Sequence, residues 1–117
     1  MKLVHRTDGG EHTVATTVET ADGHLSRARG LMFRRSIPDD FALLFRFGDA
    51  SRRSLHMLFV PFDIDAVWLR DGRVEQVERL SAWTGFDWGA PADTVIELPA
   101  GAASAVDPGD ELLIEDG

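Results

Sequence analysis

His56, Asp63 and Asp65 come nearest in this sequence to a catalytic set. On an extended chain, residues two apart share a side, so Asp63 and Asp65 point the same way and His56 lies on the strand before them. A histidine beside a carboxylate can act as a general base near neutral pH. No motif ties a serine or any other nucleophile to the three, and the same residues serve equally well as a structural hydrogen bond or a strand cap. One histidine and two aspartates are enough ligands for a metal, but their spacing matches no common site. Neither a metal nor another cofactor is expected.

Binding chemistry rests on other residues. The stretch RARGLMFRRSIP (27–38) carries Arg27, Arg29, Arg34 and Arg35 with no acid among them. A guanidinium fork recognises carboxylates and phosphates through paired hydrogen bonds. Trp83, Phe86 and Trp88 crowd one Gly- and Pro-containing segment, where the rings can stack on a ligand or plug one end of a β structure. Arg27, Arg34, Arg35, Trp83 and Trp88 are therefore the expected ligand-binding residues. Glu97 interrupts the apolar run Val95-Ile96-Glu97-Leu98; if that face is buried, the carboxylate requires a cation. Arg29 is the expected partner, because a helix over this segment places it within about 40° of Leu25 on the inward side. Arg27 and Arg34 then face outward.

The 117 residues suit one domain spanning 1–117, and 44% apolar with 27% charged residues is the balance of a folding chain. With no cysteine, disulfides, thiolate metal sites and cysteine nucleophiles are excluded. The start, Met1-Lys2-Leu3-Val4-His5-Arg6, lacks the apolar stretch of a signal peptide, and no segment has the length of a membrane span, so a cytoplasmic protein without membrane contact is expected. The net charge is −8, built from 20 acids, 11 arginines and a single lysine, a composition like that of proteins from salt-accumulating organisms. Residues 27–53 carry +4 and the remainder −12. Nucleic acid is the obvious partner for a basic island, but phosphate attraction weakens steeply with salt and the rest of the surface is acidic, so general DNA or RNA binding is not expected. A protein or a small anionic ligand is, with the chain a monomer or weak dimer.

Most of the chain reads as short strands. Asp8-Gly9-Gly10 and Asp71-Gly72 are hairpin turns, the first setting His5 opposite His12. Residues 41–47, 54–60, 62–69, 73–80, 94–99 and 111–115 read as strands, 81–93 as a loop, and Asp107-Pro108-Gly109-Asp110 as a turn. Leu25, Ala28 and Met32 recur at helical spacing, predicting one short helix near residues 24–33. Gly101 lacks the spacing of a phosphate loop. The expectation is a mainly β protein (α+β by strict count), an antiparallel sandwich or distorted barrel of about eight short strands with one short helix.

ARGLMFRRSIP, FALLFRF, HMLFVPFDIDAVWLRDGRV, IELPAG and PGDEL, in that order, resemble the domain-of-unknown-function 192 family, also called uncharacterised protein family 0127, over about residues 14–115. The resemblance implies a small, mainly β structure packed by one helix and assigns no activity. Many members carry polar residues, often Asn-Thr, after the methionine of a central strand; here Met57 is followed by Leu58-Phe59-Val60. The function expected is a non-enzymatic binding module for a protein or small anionic ligand, the alternative a hydrolase-like enzyme working through a His/carboxylate pair in a cleft.

Overall fold

The computed structural model describes residues 1–21, 23 and 29–116. Ten strands are formed among the described residues: β1 (Lys2–Thr7), β2 (Gly10–Ala15), β3 (Thr17–Ala21), β4 (Phe41–Arg46), β5 (Leu55–His56), β6 (Ile64–Arg70), β7 (Arg73–Leu80), β8 (Phe86–Asp87), β9 (Thr94–Pro99) and β10 (Glu111–Glu115). Eight of them make one sheet of order β2-β1-β10-β7-β6-β9-β4-β3, and β5 pairs with β8 in a small second sheet. The architecture is mainly β, as the turn spacing requires.

Strands β4, β6 and β9 are buried on both faces, which is why they read as nearly unbroken apolar runs. Leu44 of β4, Ile96 of β9 and Val67 of β6 share one core with Leu3 of β1 and Leu112 of β10. Strands β1 and β4 lie five places apart in the sheet, so it must curl until they meet, giving a distorted barrel. Phe45, Ala66, Trp68 and Val95 point the other way, into a second core closed by the connecting segments, including Leu31, Met57 and Ala92.

The hairpin turns fall where expected. His5 pairs with His12 across β1 and β2, and Asp71 and Gly72 have φ of 52° and 79°, the two positive values a tight hairpin requires. Two readings are corrected. Strands β3 and β4 run parallel, in an otherwise antiparallel sheet, so their connection is a crossover, whose Leu31, Met32 and Ile37 pack on the second core. Of the strand read over 54–60, only Leu55–His56 forms; Met57–Val60 turns back, with the Val60 N–H donating to the Met57 carbonyl at 3.0 Å. The expected helix near 24–33 falls largely on residues outside those described; of its described end, Arg29 is helical and Gly30–Phe33 are turns, with the Met32 N–H on the Arg29 carbonyl at 2.9 Å.

Candidate binding cleft

The crossover and the turn before β5 leave a cleft of about 380 Å³ above the middle of the sheet. Phe45, Val60, Leu55 and Val95 supply apolar wall, and Glu97 closes the floor. The alternation of β9 that turns Ile96 and Leu98 into the first core turns Val95 and Glu97 into this one. Glu97 is 6% exposed, and its Oε1 has no hydrogen-bond partner among the described residues. Burial pushes its carboxyl up to about 7; the charge of Arg34 opposes this without reversing it.

The expected Arg29–Glu97 pair is not formed. Arg29 is exposed and its Nε donates to the Met32 carbonyl at 3.4 Å, because the chain turns at Gly30 (φ 52°) and carries the guanidinium to the cleft rim. Gly30 itself lies against the floor: a β-carbon there would stand 3.3 Å from Phe45 and 3.5 Å from Glu97 Oε1. The Arg29-Gly30-Leu31-Met32 segment thus roofs the acid, its glycine permitting both the left-handed backbone and the close approach.

The opposite wall is held by Trp68. Its indole N–H donates to the Arg53 carbonyl at 2.6 Å, Arg52 reaches the Gly89 carbonyl at 2.6 Å, and Arg53 binds the Ala92 carbonyl and Asp49. Arg53 also covers the Phe47 ring at 3.9 Å. These two arginines line the cleft while their donors tie its wall to the segments that follow β4 and β8.

His56 lines the same cleft, but the other two members of the expected catalytic set do not join it. Asp63 precedes β6 and accepts the Ala82 N–H at 2.8 Å. Asp65 lies on the far side of the sheet, 3% exposed, where it accepts the Gly101 and Ala103 N–H groups at 2.9 and 3.0 Å and Arg79 Nε at 2.9 Å. It organises the turn after β9. His56 Nδ1 accepts the Leu58 N–H at 3.2 Å, which leaves the proton of the neutral ring on Nε2. The ring therefore faces a ligand as a donor. No three His, Asp or Glu among the described residues are grouped to hold a metal ion, and no helix among them is long and apolar enough to cross a membrane.

Among the remaining expected binding residues, Arg27 lies outside the described residues. Arg34 is half-buried, pairs with Glu19 at 3.0 Å and lies over the Phe41 ring, so it does not stand free on an outer face; Arg35 is exposed. Trp83 and Trp88 are 53% and 71% exposed and plug nothing; Trp88 meets Phe86 edge-on at 4.9 Å. Sequence reasoning missed Phe33 and Phe59. Phe33 stacks on Phe59 at 5.0 Å, and Phe59 meets Trp83 at 6.3 Å. All three have positive φ (70°, 61° and 65°), and the N–H groups of Phe33 and Trp83 donate to the carbonyls of Phe59 and Val60. Such backbone is costly for a bulky residue. It turns a row of rings outward beside the cleft mouth.

The curled sheet, the crossover roof and the buried acid define a class: small mainly β domains with one apolar cleft opening over a central strand. The chain belongs to the family described as Uncharacterized ACR, COG1430 (domain of unknown function 192), whose model matches residues 4–114. It is 31% identical to the UPF0127 protein TK1120 of Thermococcus kodakarensis over 72% of this chain and 54% of that one. It is also 31% identical to a UPF0127 protein of Thermococcus gammatolerans, over 77% of this chain and 60% of that one, so it spans little more than half of these relatives. Two crystal structures share the fold. One is a protein of unknown function from Novosphingobium aromaticivorans (TM-score 0.81, 22% identity, 97% of this chain and 84% of that one). The other is a candidate transcription regulator from Sinorhizobium meliloti (TM-score 0.83, 28% identity, 96% and 91%).

Proposed function

We propose that this chain is a binding module rather than a hydrolase, and that the cleft over Glu97 receives a small ligand with an apolar body and a polar head. The observation carrying this reading is a carboxyl buried at the floor of an open apolar cleft with Oε1 unpartnered among the described residues. An unmet buried acceptor is costly, and a ligand group that meets it gains what the chain alone lacks. Against hydrolysis stands the ring of His56: with Nδ1 occupied and the proton on Nε2, it has no lone pair for a nucleophile in the cleft. Chemical-shift mapping with a panel of small carboxylates, alcohols, amides and amines tests the reading. Shifts should gather at Gly30, Leu55 and Val60 and vanish when Leu55→Trp fills the mouth; shifts scattered elsewhere, or none with any compound, refute it.

The ring row of Phe33, Phe59 and Trp83 supports a protein partner beside the cleft, bearing apolar side chains and, to match Arg35, carboxylates. A photo-crosslinker at Phe59 should capture one defined partner in cells, and Trp83→Ala should abolish that capture; capture unchanged by Trp83→Ala rejects this surface. General nucleic-acid binding is not part of the proposal, since phosphate attraction weakens steeply with salt and the chain outside residues 27–53 carries −12.

A further inference from the structure

Resting on the cleft reading above, we infer that the ligand head is a monocarboxylate, and that Glu97 receives it as a neutral acid, so that binding takes up one proton.

The charges around Glu97 carry the argument. Arg29 and Arg34 come from the crossover, Arg52, Arg53 and His56 from the opposite wall, and Glu19 on β3 is already paired with Arg34. Among the described residues, Glu97 is the only acid lining the cleft, and the full cations lining it are arginines. A ligand ammonium would enter against those guanidinium groups. Arg34 is met by Glu19 and Arg53 by Asp49. The charge that attracts a ligand anion is therefore that of Arg29 and Arg52, which donate to backbone carbonyls, and the obstacle is the ionised form of Glu97. Protonation removes the obstacle and supplies a donor, and an acid O–H donating to a carboxylate oxygen makes one of the stronger hydrogen bonds available to a protein.

Burial already holds the Glu97 carboxyl near 7, so the proton comes from ordinary neutral solution. The proton moves from solvent to a Glu97 oxygen and stays there, shared with the ligand oxygen. The new O–H bond on Glu97 replaces one broken in hydronium or a buffer acid, whose conjugate base stays in solvent, and no covalent bond to the ligand is made. The apolar walls favour one charged head on a hydrocarbon body over a phosphate dianion, whose hydration they could not replace. His56, with its Nε2–H, is placed to meet the second carboxylate oxygen or the ligand's outer end.

Butanoate and benzoate are the probes, with butan-1-ol and butylamine as neutral and cationic counterparts, all in ~1 M KCl. Carbon-detected titration of labelled glutamate side chains follows Glu97 directly. Butanoate should move its midpoint upward, and carboxylate affinity should fall about tenfold between pH 7.5 and 8.5. Calorimetry in buffers of different ionisation enthalpy should show close to one proton taken up at pH 8 and little at pH 6. Glu97→Gln, which keeps a donor at the floor, should bind butanoate with neither pH dependence nor proton uptake. Carboxylate binding without proton uptake in the parent, or a downward midpoint, overturns the inference. If the alcohol or the amine binds in the cleft and the carboxylates do not, the inference fails while the cleft reading stands; if no probe binds, both fail.

Discussion

Glu97→Gln tests the energetics of the cleft floor without any ligand. The unfolded carboxyl titrates near 4.5 and the folded one near 7, because burial disfavours its charge. A folded pKa above the unfolded one means the native state binds the extra proton. The associated stability is complete below pH 4.5 and is lost as pH rises toward 7. At about 1.4 kcal/mol for each pH unit between those two values, the loss is about 3 kcal/mol. Asp40, Asp49 and Asp110 shift the other way, their carboxylates held down chiefly by hydrogen bonds from Thr16, from Ser51 and from the Asp107 backbone. Their contributions disappear only as pH falls below the ordinary aspartate range, outside the Glu97 window.

Urea denaturation in ~1 M KCl from pH 4 to 9 is the assay, with parent and Glu97→Gln side by side. The two should be of similar stability near pH 4, diverge between 4.5 and 7, and differ by about 3 kcal/mol above that, the Gln protein being the more stable. Arg34→Met, which removes the charge opposing the shift, should carry the parent's decline to higher pH. A parent–variant difference that stays constant across the range, or a parent that gains stability between pH 5 and 7, refutes the claim that the acid is buried unpaired.

Asp65→Ala should cost on the order of 3 kcal/mol in the same melts, since it orphans the Gly101 and Ala103 N–H groups; Arg79→Met, which leaves both backbone bonds in place, should cost less. Gly89→Ala should cost on the order of 3–5 kcal/mol or abolish folding, because a β-carbon there would lie 1.9 Å from the Arg53 carbonyl at φ 72°; a normal melt would show that the Trp68–Arg53 wall is not held as described. With 20 acids and one lysine, the thermal midpoint should rise between ~0.1 and ~1 M KCl, and a flat or falling midpoint removes the salt-adapted reading.

Strands bounded by strong turn chemistry were legible. Asp71-Gly72 opens β7, Pro108-Gly109 stands before β10, and those strands lie at 73–80 and 111–115 as their patterns indicate. The failures share a cause, the dependence of a local pattern on distant chain. Met57-Leu58-Phe59-Val60 is apolar enough for a strand, yet its residues close a turn whose partners come from Gly85 and Phe33. The parallel pairing of β3 with β4 leaves no local signature, and it decides what roofs Glu97. Asp63 and Asp65 were grouped by the two-residue period, which begins to hold only at Ile64, where β6 starts. Arg29 was turned inward by a helical wheel that Gly30 interrupts with its left-handed turn.

Burial of Glu97 is readable from its place in an apolar run; that its Oε1 has no partner among the described residues is not, because that depends on where the crossover sets Arg29 and Arg34. The unmet acid lies at the floor of one cleft, and three left-handed aromatics, Phe33, Phe59 and Trp83, stand beside the mouth of the same cleft. Each departs from what local propensity and polar satisfaction favour. Departures of this kind tend to collect where a sequence serves something besides its own fold. The Asp65 site on the opposite face shows the contrast: it too buries a carboxylate, and there every available donor is used. The same chain that satisfies one buried acid with three donors leaves Oε1 of the other unmet among its described residues, and that difference directs the search for a ligand to the β9 floor rather than to the arginine-rich stretch as a whole.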